Sequence, residues 1–212
     1  MMRRLIVDPH RPQAAALEDA AHVIRGGGIV AMPTDTLYGL AVDPFRADAV
    51  AQVFAVKGRS GEQALPLIAA DVEQVTTRIG PLPALARRLA AQFWPGPLTL
   101  IVRAPASLGS GVTGGTGTVG VRVPAHPVAR ALCRASGMPL TATSANVSGA
   151  SPTSNPDEVE RTLGDRIDLL IDAGLTPGGP PSTIVDVTGA WPKRVRAGVI
   201  AWEEIDACVR GA

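Results

Sequence analysis

The chain has 212 residues, 46% of them hydrophobic and 18% charged, with a formal net charge of +1. This is the composition of an ordinary globular protein, and so small a net charge gives no global electrostatic case for nucleic-acid binding. No apolar run reaches the roughly 18 residues of a membrane span. The start lacks a signal-peptide core, and the two cysteines are far apart, so we expect one cytoplasmic, zinc-free domain over residues 1–212.

The first elements predicted are a helix, a buried strand and a polar loop. Apolar residues recur at helical spacing over residues 12–25, a run of glycines stops the helix, and residues 29–32 form an apolar strand. The following loop lies at the carboxyl end of that strand, where ligands tend to bind in open α/β sheets. A capped turn with a half-buried tyrosine ring is the alternative. The polar residues presented there are Thr34, Asp35, Thr36 and Tyr38.

A second helix, predicted over residues 48–56, ends at Lys57 and Gly58. A cation before a terminating glycine is ordinary at a helix carboxyl end, but this explanation leaves Arg59 unused. Two cations separated by one glycine can grip several phosphate oxygens at once. Because the chain has only two lysines among its basic residues, the lysine at position 57 indicates that a compact ammonium is wanted there.

The middle of the chain predicts a strand over residues 65–69, a helix over 83–93 and a strand over 98–102. Prolines on both sides of a glycine make a rigid turn before the last of these, and Trp94 in that turn is interpreted as a core anchor. The glycine-rich residues 109–117 lack the lysine and hydroxyl residue of a P-loop. They predict a mobile lid or a backbone that approaches a ligand closely, with a plain flexible loop as the alternative.

Arg122 lies in an alternating strand predicted over residues 118–123. It faces away from the core side of that strand, and a solvated arginine is the simple interpretation. The proline at position 124 ends the strand, which holds the planar guanidinium near a strand terminus. That placement suits bidentate capture of a carboxylate or phosphate.

After a helix predicted over residues 127–136, residues 139–149 concentrate hydroxyl and amide groups in a segment that begins as a buried strand. Such groups donate hydrogen bonds to phosphate or carboxylate oxygens without titrating, so the segment is predicted to hold an anionic ligand. Capping of a turn or of the next helix is the alternative. The residues concerned are Thr141, Thr143, Ser144 and Asn146.

The last part of the chain predicts a helix from residue 155 to 163, a short strand over 169–171 and a strand over 182–187. The first hydroxyl groups of that final strand are placed to face the site. The elements therefore alternate between strands and helices, as in mixed α/β folds.

Six motifs, in their order and at their separations, resemble those of the YrdC-like family, the threonylcarbamoyl-AMP synthases of tRNA modification. The resemblance runs from about residue 10 to about residue 200. It implies an α/β fold of the α+β type, with a single YrdC/RibB-like open, twisted, mixed β-sheet flanked by helices and a concave ligand-binding face. The motifs are Pro33-Thr-Asp-Thr-Leu-Tyr-Gly-Leu40, Lys57-Gly-Arg59, Trp94-Pro-Gly-Pro-Leu-Thr-Leu100, Val119-Gly-Val-Arg-Val-Pro124, Ser144-Ala-Asn146 and Ser182-Thr-Ile-Val-Asp186.

The same resemblance implies a nucleotidyltransferase that converts L-threonine, bicarbonate and ATP into threonylcarbamoyl-AMP and pyrophosphate, with Mg2+ accompanying the ATP. Downstream transferase proteins would then modify tRNA adenosine next to the anticodon. The implied catalytic tetrad is Lys57, Arg59, Ser144 and Asn146. The implied threonine contacts are Thr34, Tyr38, Arg122, Thr141 and Ser182, and the nucleotide contacts are the tetrad together with Thr118, Thr143 and Arg196.

Two features depart from the longer and more typical relatives. Many relatives place a histidine shortly after the dipeptide Pro66-Leu67, where this chain has Ala69 and Ala70, so one substrate contact does not transfer. Longer relatives also carry a second, C-terminal domain, for which this chain has no residues.

Two other functional classes compete with the synthase. A non-catalytic module that binds double-stranded RNA or tRNA would use the same cationic concavity, but only 3% of the residues are aromatic, which leaves few stacking platforms. A carbamoyl-transfer domain like that of HypF would come with acylphosphatase and zinc-finger segments, and this chain has neither the length nor the cysteines for them.

Overall fold

The computed structural model describes residues 2–58 and 63–211. Within them the helices are α1 (Ala14–Arg25), α2 (Ala47–Lys57), α3 (Val72–Arg78), α4 (Ala84–Phe93), α5 (Ser110–Thr113), α6 (Pro127–Ser136), α7 (Pro156–Leu163) and α8 (Trp202–Arg210). The strands are β1 (Arg3–Ile6), β2 (Val30–Met32), β3 (Gly39–Ala41), β4 (Leu67–Ile68), β5 (Leu98–Arg103), β6 (Thr118–Arg122), β7 (Leu140–Thr141), β8 (Thr143–Ser144), β9 (Leu169–Asp172), β10 (Thr183–Asp186) and β11 (Lys193–Arg196).

Local sequence signals explain where the helices that flank the site begin and end. Helix α2 stops at Gly58, whose φ of 64° is the left-handed conformation that glycine adopts at little cost. Helix α6 begins with Pro127 in its first turn, and the side chain of His126 accepts a hydrogen bond from the Val128 N–H. The His126 side chain thus caps this helix. Asn155 caps α7 in the same manner, by accepting from the Asp157 N–H.

The strands form two mixed sheets, which confirms the mixed α/β class with flanking helices. The first sheet has the order β1-β9-β2-β3-β8, and the second has the order β11-β10-β5-β6-β4-β7. Both sheets combine parallel and antiparallel pairs. In the first sheet, β9 is parallel to β1 and β2, whereas β3 is antiparallel to β2 and to β8. The expectation of a single sheet is corrected, because the hydrogen-bonding ladder is interrupted between β7 and β8.

That interruption occurs at Ala142, where the chain passes from one sheet to the other. Strand β7 pairs with β4 in the second sheet, and β8 pairs with β3 in the first. The hydroxyl of Thr141 donates to the Leu40 carbonyl at 3.2 Å and accepts from the Val42 N–H at 3.0 Å. A backbone hydrogen bond from Thr141 to Val42 joins the same two segments. These hydrogen bonds therefore connect the two sheets beside the polar segment that follows β7.

The core confirms the predicted role of Trp94. Its side chain packs in the larger of two clusters of buried apolar residues, and its indole N–H donates to the Leu98 carbonyl at 2.7 Å. A second cluster packs α1 and α6 against β2, β4 and β9. Within the described part of the chain, no helix is both long and apolar enough to cross a membrane.

Candidate functional site

A cavity of about 340 Å³ has walls that come from both sheets. This volume lies in the range of small-molecule binding pockets. The first sheet contributes the loop before β3 together with β8, and the second contributes residues of β4, β5, β6, β10 and β11. Seven of the predicted site residues form part of the wall, namely Thr34, Tyr38, Arg122, Thr143, Ser144, Ser182 and Arg196.

Lys57 lies behind the wall and holds the turn that carries Ser144 and Asn146. Its ammonium group is 2.6 Å from the Ser144 carbonyl oxygen, 3.0 Å from the Asn146 carbonyl oxygen and 3.2 Å from the Asn146 side-chain oxygen. The Ser144 hydroxyl in turn donates to that side-chain oxygen. Lys57 is only 3% exposed, so its charge is buried against this turn. The lysine and the Ser-x-Asn pair, 87 residues apart in sequence, thus form one unit beside the cavity.

Arg59, the remaining member of the predicted tetrad, lies outside the described residues. Its predicted role stays a prediction.

Arg122 ends β6 and presents its guanidinium to the cavity. Burial lowers the pKa of this arginine, and the negative charge of Asp35 opposes that effect. The guanidinium Nη2 lies 3.2 Å from Asp35 Oδ1. The Asp35 carboxylate favours the charged form of Arg122, but the effect of burial is larger, so the pKa stays below its ordinary value.

Arg196 lies across the cavity on β11 and anchors Ser182. Its guanidinium donates to the Ser182 carbonyl at 2.8 Å and to the Ser182 hydroxyl at 3.0 Å. That hydroxyl also shares a hydrogen bond of 2.9 Å with the hydroxyl of Thr99 on β5. Burial, and secondarily the charge of Arg122, lowers the pKa of Arg196. Two like charges therefore line one cavity, and an anionic ligand bound there would favour the charged form of both guanidiniums.

Thr34 and Tyr38 line the cavity, but their hydroxyls are used to shape the loop before β3. The Thr34 hydroxyl donates to the Leu37 carbonyl at 2.7 Å. The Tyr38 hydroxyl donates to the Gly174 carbonyl at 2.8 Å and accepts from the Ala173 N–H at 3.3 Å. Burial raises the pKa of Tyr38 to about 12. These bonds fix the loop to the segment after β9.

Besides Lys57 and Asn146, three further predicted features lie outside the cavity wall. Thr141 is fully buried, and its hydroxyl is bonded to the backbone of Leu40 and Val42. Thr118 begins β6 and shares a hydrogen bond of 2.9 Å with the hydroxyl of Thr116. The glycine-rich residues 109–117, predicted as a lid or a flexible loop, instead include α5, which packs with Val112 and Thr113 buried, and contribute nothing to the wall.

Sequence reasoning missed Thr99, which lines the cavity. It pointed to Asp35 and Thr36 as part of the polar loop without giving them a contact; in the structure Thr36 lines the cavity and Asp35 pairs with Arg122. The signal for Thr99 is a single hydroxyl residue inside the apolar strand of residues 98–102. A polar group buried in such a strand needs a partner, and here the partner is Ser182.

The structure shows what lies at the positions of the absent histidine. Ala69 and Ala70 are buried beside β4, outside the cavity wall. Across the residues described, no group of three or more histidine, cysteine, aspartate or glutamate side chains is arranged to hold a metal ion.

Comparisons with known proteins give the following. The family model Sua5_yciO_yrdC, described as "Telomere recombination", matches residues 22–198. A protein of Halorhodospira halophila named threonylcarbamoyl-AMP synthase is 43% identical over 88% of this chain and 95% of its own length. A protein of Bacillus subtilis with the same name is 39% identical over 95% of this chain, which spans only 57% of that relative. The crystal structure of P. abyssi Sua5 complexed with L-threonine matches with a TM-score of 0.90 and 35% identity, over 99% of this chain and 61% of that one.

Proposed function

This chain belongs to the Sua5/YciO/YrdC family, and from that premise we propose that it is an L-threonylcarbamoyladenylate synthase. The observation that carries the proposal is the cavity that Arg122 and Arg196 both line, beside the turn held by Lys57. Cations, hydroxyls and amides suit the binding of several negative charges, and the relatives' printed names and the L-threonine complex supply the substrate class. The alternative of a non-catalytic RNA-binding module has no such support.

The proposed reaction joins three substrates with the loss of pyrophosphate. The threonine amine adds to CO2 derived from bicarbonate, which forms a C–N bond and gives a carbamate after loss of a proton. A carbamate oxygen then attacks the α-phosphorus of ATP, and the bond from that phosphorus to the bridging oxygen of pyrophosphate breaks. Water from bicarbonate is the remaining product. Nucleotidyl transfer of this kind depends on positioning and charge stabilisation more than on a titrating base.

The residues around the cavity receive roles that match their chemistry. Arg122 would bind the threonine carboxylate, since a planar guanidinium pairs with a carboxylate through two hydrogen bonds. Ser182 and Thr34 lie where they would contact the threonine amine or hydroxyl, and Tyr38 and Thr141 would act by holding the loops. The proposed nucleotide contacts are Thr143, Ser144, Asn146 and Arg196, with Lys57 positioning the turn and Arg59 and Thr118 as further predicted contacts.

Mg2+ and the downstream partners belong to the proposal as well. The described residues provide no cluster of metal ligands, so any Mg2+ would arrive bound to the triphosphate as part of the substrate. The mixed anhydride product is labile, and the reaction that consumes it transfers the threonylcarbamoyl group to tRNA adenosine. A cationic cavity also attracts phosphates in general, so tRNA or double-stranded RNA is a further candidate partner.

The proposal is tested by measuring pyrophosphate release from ATP while threonine or bicarbonate is omitted in turn. We expect release to require both, and equal release without threonine would contradict the synthase assignment. Lys57→Met should lower turnover by at least about a hundredfold, because the turn that carries Ser144 and Asn146 loses its buried cation. Lys193→Met is the matched control, since Lys193 is the only other lysine and is exposed on β11. A normal rate in Lys57→Met would contradict the proposed catalytic role of the tetrad.

A further inference from the structure

Asp35 lies behind Arg122 and does not itself form part of the cavity wall. Its neighbours on both sides, Thr34 and Thr36, line the cavity, whereas Asp35 does not. Only 14% of the Asp35 side chain is exposed. A buried carboxylate is stable only when it is paired with a positive charge or a hydrogen-bond donor. The Asp35 carboxylate therefore needs a partner inside the protein.

The pairing joins one edge of the Arg122 guanidinium to the carboxylate. Nη1 donates a hydrogen bond to Oδ2 at 3.4 Å. Nη2 lies 3.2 Å from Oδ1 as an ion pair, and Oδ1 has no hydrogen-bond partner among the described residues. The backbone N–H of Ala125 donates to Oδ2 at 3.5 Å and holds the carboxylate from the other side. Within residues 2–58 and 63–211, Asp35 is the only acceptor that the Arg122 guanidinium has.

A guanidinium has five N–H donors in a rigid plane, so a carboxylate at one edge fixes where the other donors point. The Arg122 side chain is only 9% exposed, and its open donors can meet a ligand only from the cavity. Without Asp35, the buried guanidinium would carry a charge compensated by nothing nearby, next to the like charge of Arg196. No hydrogen bond to another described residue would then fix its orientation.

We propose that Asp35 is a positioning residue that holds Arg122 by one edge so that its remaining donors meet the carboxylate of the amino-acid substrate. The proposal rests on the proposed function, because it assigns the ligand of Arg122 in that reaction. It adds to the site a residue that acts through Arg122 and touches no substrate atom.

The first test compares the parent protein with Asp35→Asn and Asp35→Ala in the pyrophosphate-release assay. Hydrogen bonds to charged groups are strong, so we expect the KM for threonine to rise about tenfold or more in both variants. The KM for ATP and kcat should change less than about threefold. Asp48→Asn is the matched control, since it removes an exposed carboxylate on α2 and should leave all three constants unchanged. An unchanged threonine KM, or an equal rise for ATP, would overturn the proposal.

A binding measurement covers the case in which a variant folds only in part. Calorimetry with L-threonine and with L-threoninamide, which lacks the carboxylate, gives a ratio of affinities that does not depend on the folded fraction. The parent should prefer threonine, and Asp35→Asn should lose most of that preference. A preference that stays the same in the variant would contradict the positioning role.

A double-mutant comparison separates action through Arg122 from independent action. In an Arg122→Gln background, Asp35→Asn should change the threonine affinity by less than about twofold, because its effect needs the guanidinium. Additive effects would show that Asp35 acts elsewhere. If the parent protein itself releases no pyrophosphate with threonine, the proposed function fails instead, and the two outcomes are thus distinguishable.

Discussion

Tyr38, in the loop before β3, has a side chain that is buried away from water. Burial raises its pKa to about 12, against about 10 for an exposed tyrosine. Because the folded state holds the proton more tightly, the resulting stability is complete below pH 10 and is lost as the pH rises towards 12. The loss amounts to at most about 1.4 kcal/mol for each pH unit in this interval.

Tyr38 is the only tyrosine of the chain, so its titration can be read directly from the ultraviolet absorbance of tyrosinate. We expect a midpoint near pH 12 in the folded protein and near pH 10 after denaturation with urea. In Tyr38→Phe, the free energy of unfolding should fall less between these pH values than in the parent protein, because the buried hydroxyl is absent. A folded midpoint near 10 would mean that the hydroxyl is hydrated and does not fasten the loop to Gly174.

At the same scale, Thr141 and Thr143 show what sequence can and cannot assign. Both are hydroxyl residues in one polar segment, and pattern alone predicts the same ligand-binding role for each. In the structure Thr143 lines the cavity, whereas Thr141 is fully buried and bonded to β3 and Val42. Which way a side chain faces in a two-residue strand depends on the partner strand, and that partner is distant in sequence.

At the scale of elements, Gly198, just after β11, lies very close to the backbone at the start of β10. A Cβ atom at Gly198 would lie 2.3 Å from the Pro181 carbonyl oxygen and 2.4 Å from the Thr183 nitrogen. Both atoms belong to the backbone and cannot turn aside. The close approach keeps Arg196 within hydrogen-bond distance of Ser182.

Gly198→Ala should therefore force the two segments apart. We expect the free energy of unfolding to fall by about 1–3 kcal/mol, the usual cost of overpacking, and the KM values to rise because Arg196 and Ser182 separate. Urea denaturation and the pyrophosphate assay measure the two effects. Gly189→Ala is the control, since a Cβ there would meet nothing within 4 Å. Equal behaviour of the two variants would show that the approach is not needed.

Most helices and strands follow from the pattern of apolar residues, because that pattern is local. The predicted helix over residues 83–93 and the strand over residues 98–102 match α4 and β5 within one residue. The elements β1, β3, α3, β11 and α8 were not predicted, and a different structure was predicted for the glycine-rich segment. Its glycines favour mobility, but Leu65 donates its N–H to the Val112 carbonyl and Ala104 donates to Gly117, so tertiary hydrogen bonds order the segment.

At the scale of the molecule, the cavity takes its walls from both sheets, and a ligand in it touches both. A ligand that binds only the folded state stabilises the segments that it contacts. We expect threonine with a non-hydrolysable ATP analogue to slow amide hydrogen exchange in β3 and β8 of the first sheet and in β10 and β11 of the second. Protection confined to one sheet would show that the ligand binds on one side only. The exposed helix α7, which contributes nothing to the wall, is the internal control.

The mixed α/β class follows from the alternation of elements, but the division into two sheets does not. Nothing in residues 139–149 indicates that β7 and β8 pair with different neighbours, because each is only two residues long. The convergence of Lys57 with Asn146 was predicted from the family resemblance, and no local pattern contains it. Long-range placement of this kind is decided by packing over the whole chain.

Ala142 alone separates the two strands that enter different sheets, and one residue reaches no more than about 3.6 Å. The two sheets are consequently joined without slack at this point, so the ends of β7 and β8 have a fixed separation along the chain.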